Sequence, residues 1–291
     1  MKELVYLNGD LIPVSRAKLS PFDHGFLYGY GLFETMRSYN GKIFRLDRHL
    51  ARLQQSAKTL NLASKLAAFN LEKACYAVME ANKLVEARIR LTVSAGAGDI
   101  TPNPATCKDI TVFIVARKLV PPPPEKYQNG FKTILSSWRR NSQSPLSAIK
   151  STSCLENILA RQEARVAGAD EAIILNERGF VAEGSSSNVF LIRDKKLITP
   201  SLESGALPGI TREAVLELAQ SFGIEAIKRE VEIIELLEAD EAFLTNSIIE
   251  IMPLTCLDNK PIGTGKPEIL TQKLMSAYRE LVEKSPFTPW I

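Results

Sequence analysis

The stretch that decides the reading is "LSAIKSTSCLEN", residues 146–157, which precedes the helical pattern "LENILARQEARVAG", residues 155–168. Most lysines of this chain lie among other charges, as in "RDKK" and "KRE". Lys150 instead follows Leu146, Ala148 and Ile149 and precedes Ser151, Thr152 and Ser153. A lysine stripped of part of its hydration has a depressed pKa and can act as an amine nucleophile or a base. It can equally be a side chain that snorkels from a partly buried strand end. The surrounding sequence has to choose.

Working outward, "FKTILSSW" (131–138) reads as a strand before the lysine. The helix after it places Leu155, Ile158, Leu159 and Val166 on one inward face and stops at Gly168. "EAIILNERGFVAEGSSSNVFLI" (171–192) reads as strand, turn, strand; "GITREAVLELAQSFG" (209–223) as a helix burying Val215, Leu218, Ala219 and Phe222; "EAFLTNSIIEIMPL" (241–254) as one further strand. Upstream, four consecutive prolines in "VPPPPEK" (120–126) predict a stiff extended connector. The expected organisation is a small α+β domain over 1–119, a linker over 120–126 and a large α+β domain over 127–291. In the first domain, "VYLNGDLIPV" reads as a hairpin around Asn8-Gly9-Asp10. "RLDRHLARLQQSAKTLNL" (45–62) is a helix with Asp47 as its N-cap, "NLEKACYAVMEAN" (70–82) a second helix, and "ARIRLTVSAG" and "DITVFIVARK" are strands. On the first of these strands Ile89, Leu91, Val93 and Ala95 face one way and Arg88, Arg90, Thr92 and Ser94 the other. Helices and strands mix without a strict βαβ rhythm, so two α+β domains are favoured over a dinucleotide-binding sheet.

Composition narrows the function. The 291 residues are 45% apolar and 24% charged, with a formal charge of +3. That balance is ordinary for a globular chain and too mild to argue for nucleic acid or a membrane surface. Cys75, Cys107, Cys154 and Cys256 are dispersed, with no CxxC, which speaks against zinc and suits a reducing compartment. With no signal-peptide pattern in "MKELVYLNGDLIPV" and no long apolar span, a cytoplasmic protein is expected. His24 and His49 are the two histidines, a poor supply for a metal centre.

Three other features complete a chemistry. "GALPGITREAV" (205–215) runs through Gly205, Pro208 and Gly209 into a helix whose first N–H groups and Thr211 hydroxyl suit a phosphate, or simply form an N-cap. "VAEGSSSNVFLI" (181–192) sets Glu183 before a hydroxyl-rich turn that binds a polar ligand or satisfies its own backbone. Arg52 lies on the charged face of its helix, where an arginine is ordinarily a solvated surface residue, and Arg90 on the polar face of its strand, either exposed or salt-bridged, or, if that face lines a cleft, able to hold a carboxylate. An amine, a carboxylate, a phosphate cradle and an arginine together are what pyridoxal 5'-phosphate requires.

The motif order "FDHGFLYGYGLFETMR", "FRLDRHLARL", "IKSTSCLENILARQEARVAGADEAIIL", "GFVAEGSSSNVFLI", "ALPGITREAVLELA" and "LTNSIIEIMPL" resembles the class IV aminotransferases, fold-type-IV pyridoxal-phosphate enzymes, from about residue 5 to 255. The family includes branched-chain aminotransferases, D-amino-acid aminotransferases and 4-amino-4-deoxychorismate lyases. The resemblance implies a two-domain α+β fold with its active site in the interdomain cleft, a homodimer and a small amino substrate. It implies Lys150 as Schiff-base lysine, Glu183 beneath the pyridine nitrogen, Arg52, Ile210, Thr211 and Ser247 at the phosphate, and Leu207 against the ring. Thr35 is implied as a hydroxyl near the reacting centre, and Tyr28, Phe33, Arg90 and Asn246 as substrate contacts. Leu155 stands where branched-chain enzymes commonly have tyrosine, Asn246-Ser247-Ile248 where they have Gly-Thr-Ala, and Thr35 where they have glycine. Ala95-Gly96-Ala97 replaces the Arg-x-His pair of D-aminotransferases. These positions put 4-amino-4-deoxychorismate lyase first and a branched-chain or related transaminase using 2-oxoglutarate second. A non-catalytic binding protein is a third reading, against which the intact Lys150, Glu183 and Arg52 argue.

Overall fold

The computed structural model describes residues 3–284, which divide into two compact units. The first comprises residues 3–120 together with a later segment, Ile149–Ser153; the second comprises Pro121–Ala148 and Cys154–Lys284.

The first unit contains β1 (Leu4–Leu7), β2 (Asp10–Pro13), α1 (His24–Tyr28), β3 (Gly31–Tyr39), β4 (Lys42–Ile43), α2 (Leu46–Thr59), α3 (Ala63–Leu66), α4 (Leu71–Ala81), β5 (Ala87–Ser94) and β6 (Thr111–Lys118). Its strands form one antiparallel sheet in the order β2-β1-β6-β5-β3-β4. The hairpin expected at Asn8-Gly9 is present, with positive φ at both residues, the geometry that matches strand twist and favours Asn-Gly. The alternation of β5 is as expected: Ile89, Leu91 and Val93 are buried with Leu53, Cys75 and Val78 of the helices in one core. Asp47 is not the cap of α2. Arg45 occupies that position in left-handed conformation, and Asp47 lies in the first turn, where its charge still favours the helix dipole.

The second unit contains α5 (Pro124–Asn129), β7 (Phe131–Arg140), α6 (Leu155–Val166), β8 (Glu171–Asn176), β9 (Val181–Gly184), β10 (Asn188–Arg193), β11 (Lys196–Pro200), α7 (Ile210–Ser221), β12 (Ala226–Arg229), α8 (Ile233–Leu237), β13 (Glu241–Asn246), β14 (Glu250–Leu257), β15 (Lys260–Pro261) and α9 (Ile269–Glu283). Its sheet runs β12-β11-β10-β13-β14-β7-β8-β9, with β15 beside β14. The β7-α6-β8 and β11-α7-β12 connections join parallel strands, so this unit holds two crossovers that the sequence pattern did not reveal. Pro124 opens α5 inside the stretch expected to stay extended; proline is tolerated there because its missing N–H would have no partner. The single strand expected over 241–254 is a hairpin, β13 and β14, turning at Ser247–Ile249. The stretch 171–192 holds three strands rather than two.

The face of α6 is also revised. Leu155, Ile158 and Val166 are 68%, 58% and 83% exposed, whereas Ala160 and Ala164 are buried against Ala172 and Ile174. Periodicity marks an apolar stripe but not what covers it, and alanines let the helix lie close on its sheet. We expect Ala164→Leu to cost about 1–3 kcal/mol of unfolding free energy by overpacking, and Ile158→Ser to stay within about 0.5 kcal/mol, as read from urea midpoints. Phe222 likewise lies outside α7, at its C-cap, and is exposed.

Candidate active site

Each unit gathers its own set of the expected residues. In the first, the lysine segment pairs with the start of β3. The Phe33 N–H donates to the Lys150 carbonyl at 2.9 Å, and the Thr152 N–H to the Gly31 carbonyl at 2.9 Å. The Thr152 hydroxyl donates to the Gly29 carbonyl at 2.8 Å. A Cβ on Gly31 would lie 2.7 Å from the Val93 carbonyl oxygen and 3.0 Å from Thr152 Oγ1. This is why small residues surround Lys150: its chain is pressed against a glycine-bearing strand. Gly31→Ala should loosen the segment, costing about 1–3 kcal/mol, with faster amide exchange at Thr152 as the readout.

The pairing directs Lys150 at Phe33: its Nζ lies 4.6 Å from the ring centroid, and Arg90 Cζ lies 3.6 Å from the same centroid. An aromatic face attracts cations at such range. Thr35 stands opposite Arg90 in the β3–β5 register, so Phe33, Thr35 and Arg90 share one face of the sheet with the lysine amine. Tyr28 is joined less directly. Its hydroxyl donates to the Ile100 carbonyl, while the neighbouring His24 bonds the Asp99 carbonyl at 2.8 Å.

Arg52 belongs to the opposite face of β3, with Glu34. Its Nε and Nη2 donate to the two oxygens of Glu34 at 2.8 and 2.6 Å, and His49 Nδ1 meets the same carboxylate at 2.7 Å. Burial alone would raise the Glu34 pKa. The Arg52 charge and the hydrogen bonds from His49 and Arg52 outweigh it and hold the carboxyl at about 2. His49 is pushed below its ordinary value, first by burial and further by the charges of Arg52 and Lys150, although Glu34 pulls the other way. The exposed-surface expectation for a helix arginine therefore fails here: Arg52 is largely buried and locked by a carboxylate that the sequence reading did not select.

In the second unit the centre is Glu183. One oxygen accepts the Leu207 N–H at 2.9 Å, and the other lies 3.6 Å from Arg140 Nη2. The Leu207 carbonyl accepts from Asn188 Nδ2 at 2.8 Å, so that residue is pinned through both its N–H and its carbonyl. Two residues on, Gly209 caps α7 without a side-chain bond, and a Cβ there would fall 1.9 Å from Asn188 Oδ1. Arg212 donates to the Pro200 carbonyl at 3.1 Å and ties the first turn of α7 to β11.

This helix start carries the strongest mark of a ligand. Thr211 is 2% exposed and its hydroxyl has no hydrogen-bond partner among the described residues; the Thr245 hydroxyl is in the same condition. Buried hydroxyls without partners cost free energy unless something fills them. A phosphate at the uncapped α7 terminus would accept from the first-turn N–H groups of Ile210 and Thr211 and from the Thr211 hydroxyl. The residues present therefore fit a phosphorylated cofactor.

The hydroxyl-rich turn takes the other option that the sequence left open. Ser185, Ser186 and Ser187 all donate to the buried carboxylate of Glu171, the latter two at 2.8 and 3.4 Å. The Asn246 side chain is likewise engaged: Oδ1 accepts from the Ile248 and Ile249 N–H groups at 2.8 and 2.9 Å, and Nδ2 donates to the Ser186 carbonyl at 2.9 Å. It shapes the turn that presents Ser247. Sequence reasoning missed Glu34, His49, Arg140 and Glu171. The i, i+3 spacing of His49 and Arg52 was the one usable signal, since it puts both on one helix face. No helix is long and apolar enough to cross a membrane, and no cluster of metal-ligating side chains occurs, among the described residues.

Residues 31–256 match the sequence profile described as amino-transferase class IV. The chain belongs to the class IV aminotransferase family. It is 37% identical over 281 residues, 96% of each chain, to a Methanocaldococcus jannaschii protein provisionally named a branched-chain-amino-acid aminotransferase. It is 36% identical over 282 residues, 96% of this chain and 95% of the other, to the aminodeoxychorismate lyase of Bacillus subtilis. Among solved structures, the Escherichia coli branched-chain amino acid aminotransferase superposes with a TM-score of 0.90 at 30% identity, covering 97% of this chain and 95% of that one. The Thermobaculum terrenum branched-chain amino acid aminotransferase, in its pyridoxal-phosphate holo-form, gives 0.84 at 31% identity, covering 97% and 94%.

Proposed function

We propose that the protein is a pyridoxal 5'-phosphate-dependent transaminase for branched-chain or related aliphatic amino acids, with 2-oxoglutarate as amino acceptor. The observation that carries the cofactor is the orphaned Thr211 hydroxyl at the uncapped start of α7, in the unit where Glu183 is aimed by Leu207. Bound at that helix, the cofactor supplies an electron sink for a negative charge developing on the substrate carbon. Glu183 holds the pyridine nitrogen. Arg52, Ile210, Thr211 and Ser247 hold the phosphate, and Leu207 packs on the ring. Lys150 carries the cofactor covalently and, once released, takes up and returns the substrate proton at Nζ. Phe33 and Arg90 lie beside that amine: the ring walls the site, and the guanidinium suits a substrate carboxylate.

The sequence cues favoured the lyase, and this reading reverses that preference. The solved structures named above are branched-chain aminotransferases. Asn246, one of the lyase cues, spends its amide on its own turn. The lyase remains the second reading because Thr35 places a hydroxyl on the Lys150 face, where it would handle a proton or hold the substrate. We carry a homodimer as part of the proposal; exposed Phe22, Phe26 and Ile100 on the first unit fit cover by a second copy. The deciding experiment incubates the holoenzyme with L-leucine and 2-oxoglutarate, and separately with aminodeoxychorismate. Glutamate from the first supports the transaminase. 4-Aminobenzoate from the second, with no glutamate from the first, overturns it in favour of the lyase.

A further inference from the structure

Arg140, the last residue of β7, is buried and donates in three directions. Nε reaches the Gly205 carbonyl at 3.1 Å, two residues before Leu207. Nη2 reaches the Ser147 carbonyl at 3.1 Å, three residues before Lys150 in the chain. Nη1 reaches Glu156 Oε1 at 2.9 Å and Asn157 Oδ1 at 3.2 Å, in the first turn of α6. Nη2 also lies 3.6 Å from Glu183 Oε1. The other Glu183 oxygen holds the Leu207 N–H. One guanidinium thus touches the approach to the lysine, the start of the helix after it, the turn before α7, and the central carboxylate. A planar fork of five donors can do this; a lysine ammonium cannot.

We propose that Arg140 is the positioning residue that keeps Glu183 an ionised, aimed carboxylate, and so decides whether the proton shared with the cofactor's pyridine nitrogen rests on nitrogen or on Glu183. The proposal rests on the reading that Glu183 serves that nitrogen. Its physics is simple. A buried carboxylate facing a pyridine has two arrangements: an ion pair with the proton on nitrogen, or a neutral acid against a neutral ring. Burial favours the neutral arrangement. A fixed positive charge beside the carboxylate favours the ionic one, and the Leu207 N–H adds to it. Without Arg140 the proton moves to Glu183, and the ring loses the charge that makes it an electron sink.

The test uses the full-length protein with pyridoxamine 5'-phosphate labelled with nitrogen-15 in the ring, a bound form that needs no turnover. The readouts are the ring-nitrogen chemical shift across pH and the dissociation constant. The wild type, Arg140→Met, Arg140→Lys, Glu183→Gln and the double variant R140M/E183Q are compared. We expect E183Q to move the shift toward that of unprotonated pyridine. R140M should move it the same way and weaken binding about tenfold, and the double variant should go no further than E183Q. R140K keeps the charge and loses the fork, so its ring shift should stay near wild type. If R140M fails to fold, R140K and E183Q decide. An R140K protein with the neutral-ring shift would overturn the electrostatic assignment. R140M with the wild-type shift, beside an altered E183Q, would make Arg140 a brace alone and overturn the proposal. An E183Q protein with the wild-type shift would overturn the reading of Glu183 and the proposal with it.

Discussion

Lys150→Ala is expected to leave a folded protein that no longer holds pyridoxal 5'-phosphate covalently and turns over substrate about 10³–10⁴-fold more slowly. The fold should survive because the contacts that seat this segment are main-chain. The Phe33 N–H to Lys150 carbonyl bond and the Thr152 N–H to Gly31 carbonyl bond do not use the lysine side chain. The amine is the one group lost, and under the proposed function it serves as both attachment point and proton carrier. Two measurements check this: intact mass after borohydride reduction of the holoenzyme, and glutamate formation from L-leucine and 2-oxoglutarate. A K150A protein with wild-type turnover would remove Lys150 from the chemistry altogether.

The second large effect concerns stability. Glu34 is fully buried between Arg52 and His49. In the cofactor-free protein, Glu34→Ala removes the carboxylate that Arg52 and His49 share in this pocket. Breaking one side of a buried pair costs about 3–5 kcal/mol, much of it the stranded partner's desolvation. The expected result is a lowered urea midpoint, with part of the loss recovered in the double variant E34A/R52M. A loss below about 1 kcal/mol, the range of an exposed pair, would refute this account.

Acid titration should show the same cluster. The folded Glu34 pKa is about 2, below that of an unfolded glutamate. Its contribution is therefore complete above about pH 4.3 and is lost as pH falls toward the folded value. His49, also depressed by burial, binds a proton less readily in the fold than in the unfolded chain. Below about pH 6.5 the unfolded chain takes up a proton that the folded chain refuses, so stability falls there too. Urea midpoints at pH 7, 5.5 and 4 should decline progressively in the wild type. His49→Gln should remove the decline between 7 and 5.5 and keep the one below.

The contrast between what could be read and what could not is physical. The first unit was legible because its signals are local: Asn8-Gly9 demands its turn, and β5 alternates cleanly because one face packs on helices. The second unit hid its topology because β8 and β10 are buried along nearly their whole length. A strand covered on both sides shows no alternation, and its neighbours cannot be deduced from it. Lys150, Glu183 and the Gly209–Thr211 turn stood out through motif order. Arg140 and Glu171 had no such mark, since their partners at Gly205 and Ser185 are distant in sequence and joined only by the fold. Leu155 and Ile158 misled because an apolar stripe records that something is to be covered, not that the chain's own core covers it.

The lysine segment has a consequence for how the molecule can be made and taken apart. The start of β3 pairs with residues that ribosomes synthesise only after the whole stretch 121–148 of the other unit. A nascent chain halted at Val120 contains all six strands of its sheet, yet the Gly31 carbonyl and Phe33 N–H stand bare along that edge. Exposed strand edges recruit other chains, so this interval of translation is where chaperone demand and misassembly should concentrate. The same arrangement limits recombination. A gene fused to a relative's at the prolines would exchange most of the first unit but leave its lysine with the other parent, so productive chimaeras need two further crossovers, flanking residues 149–153.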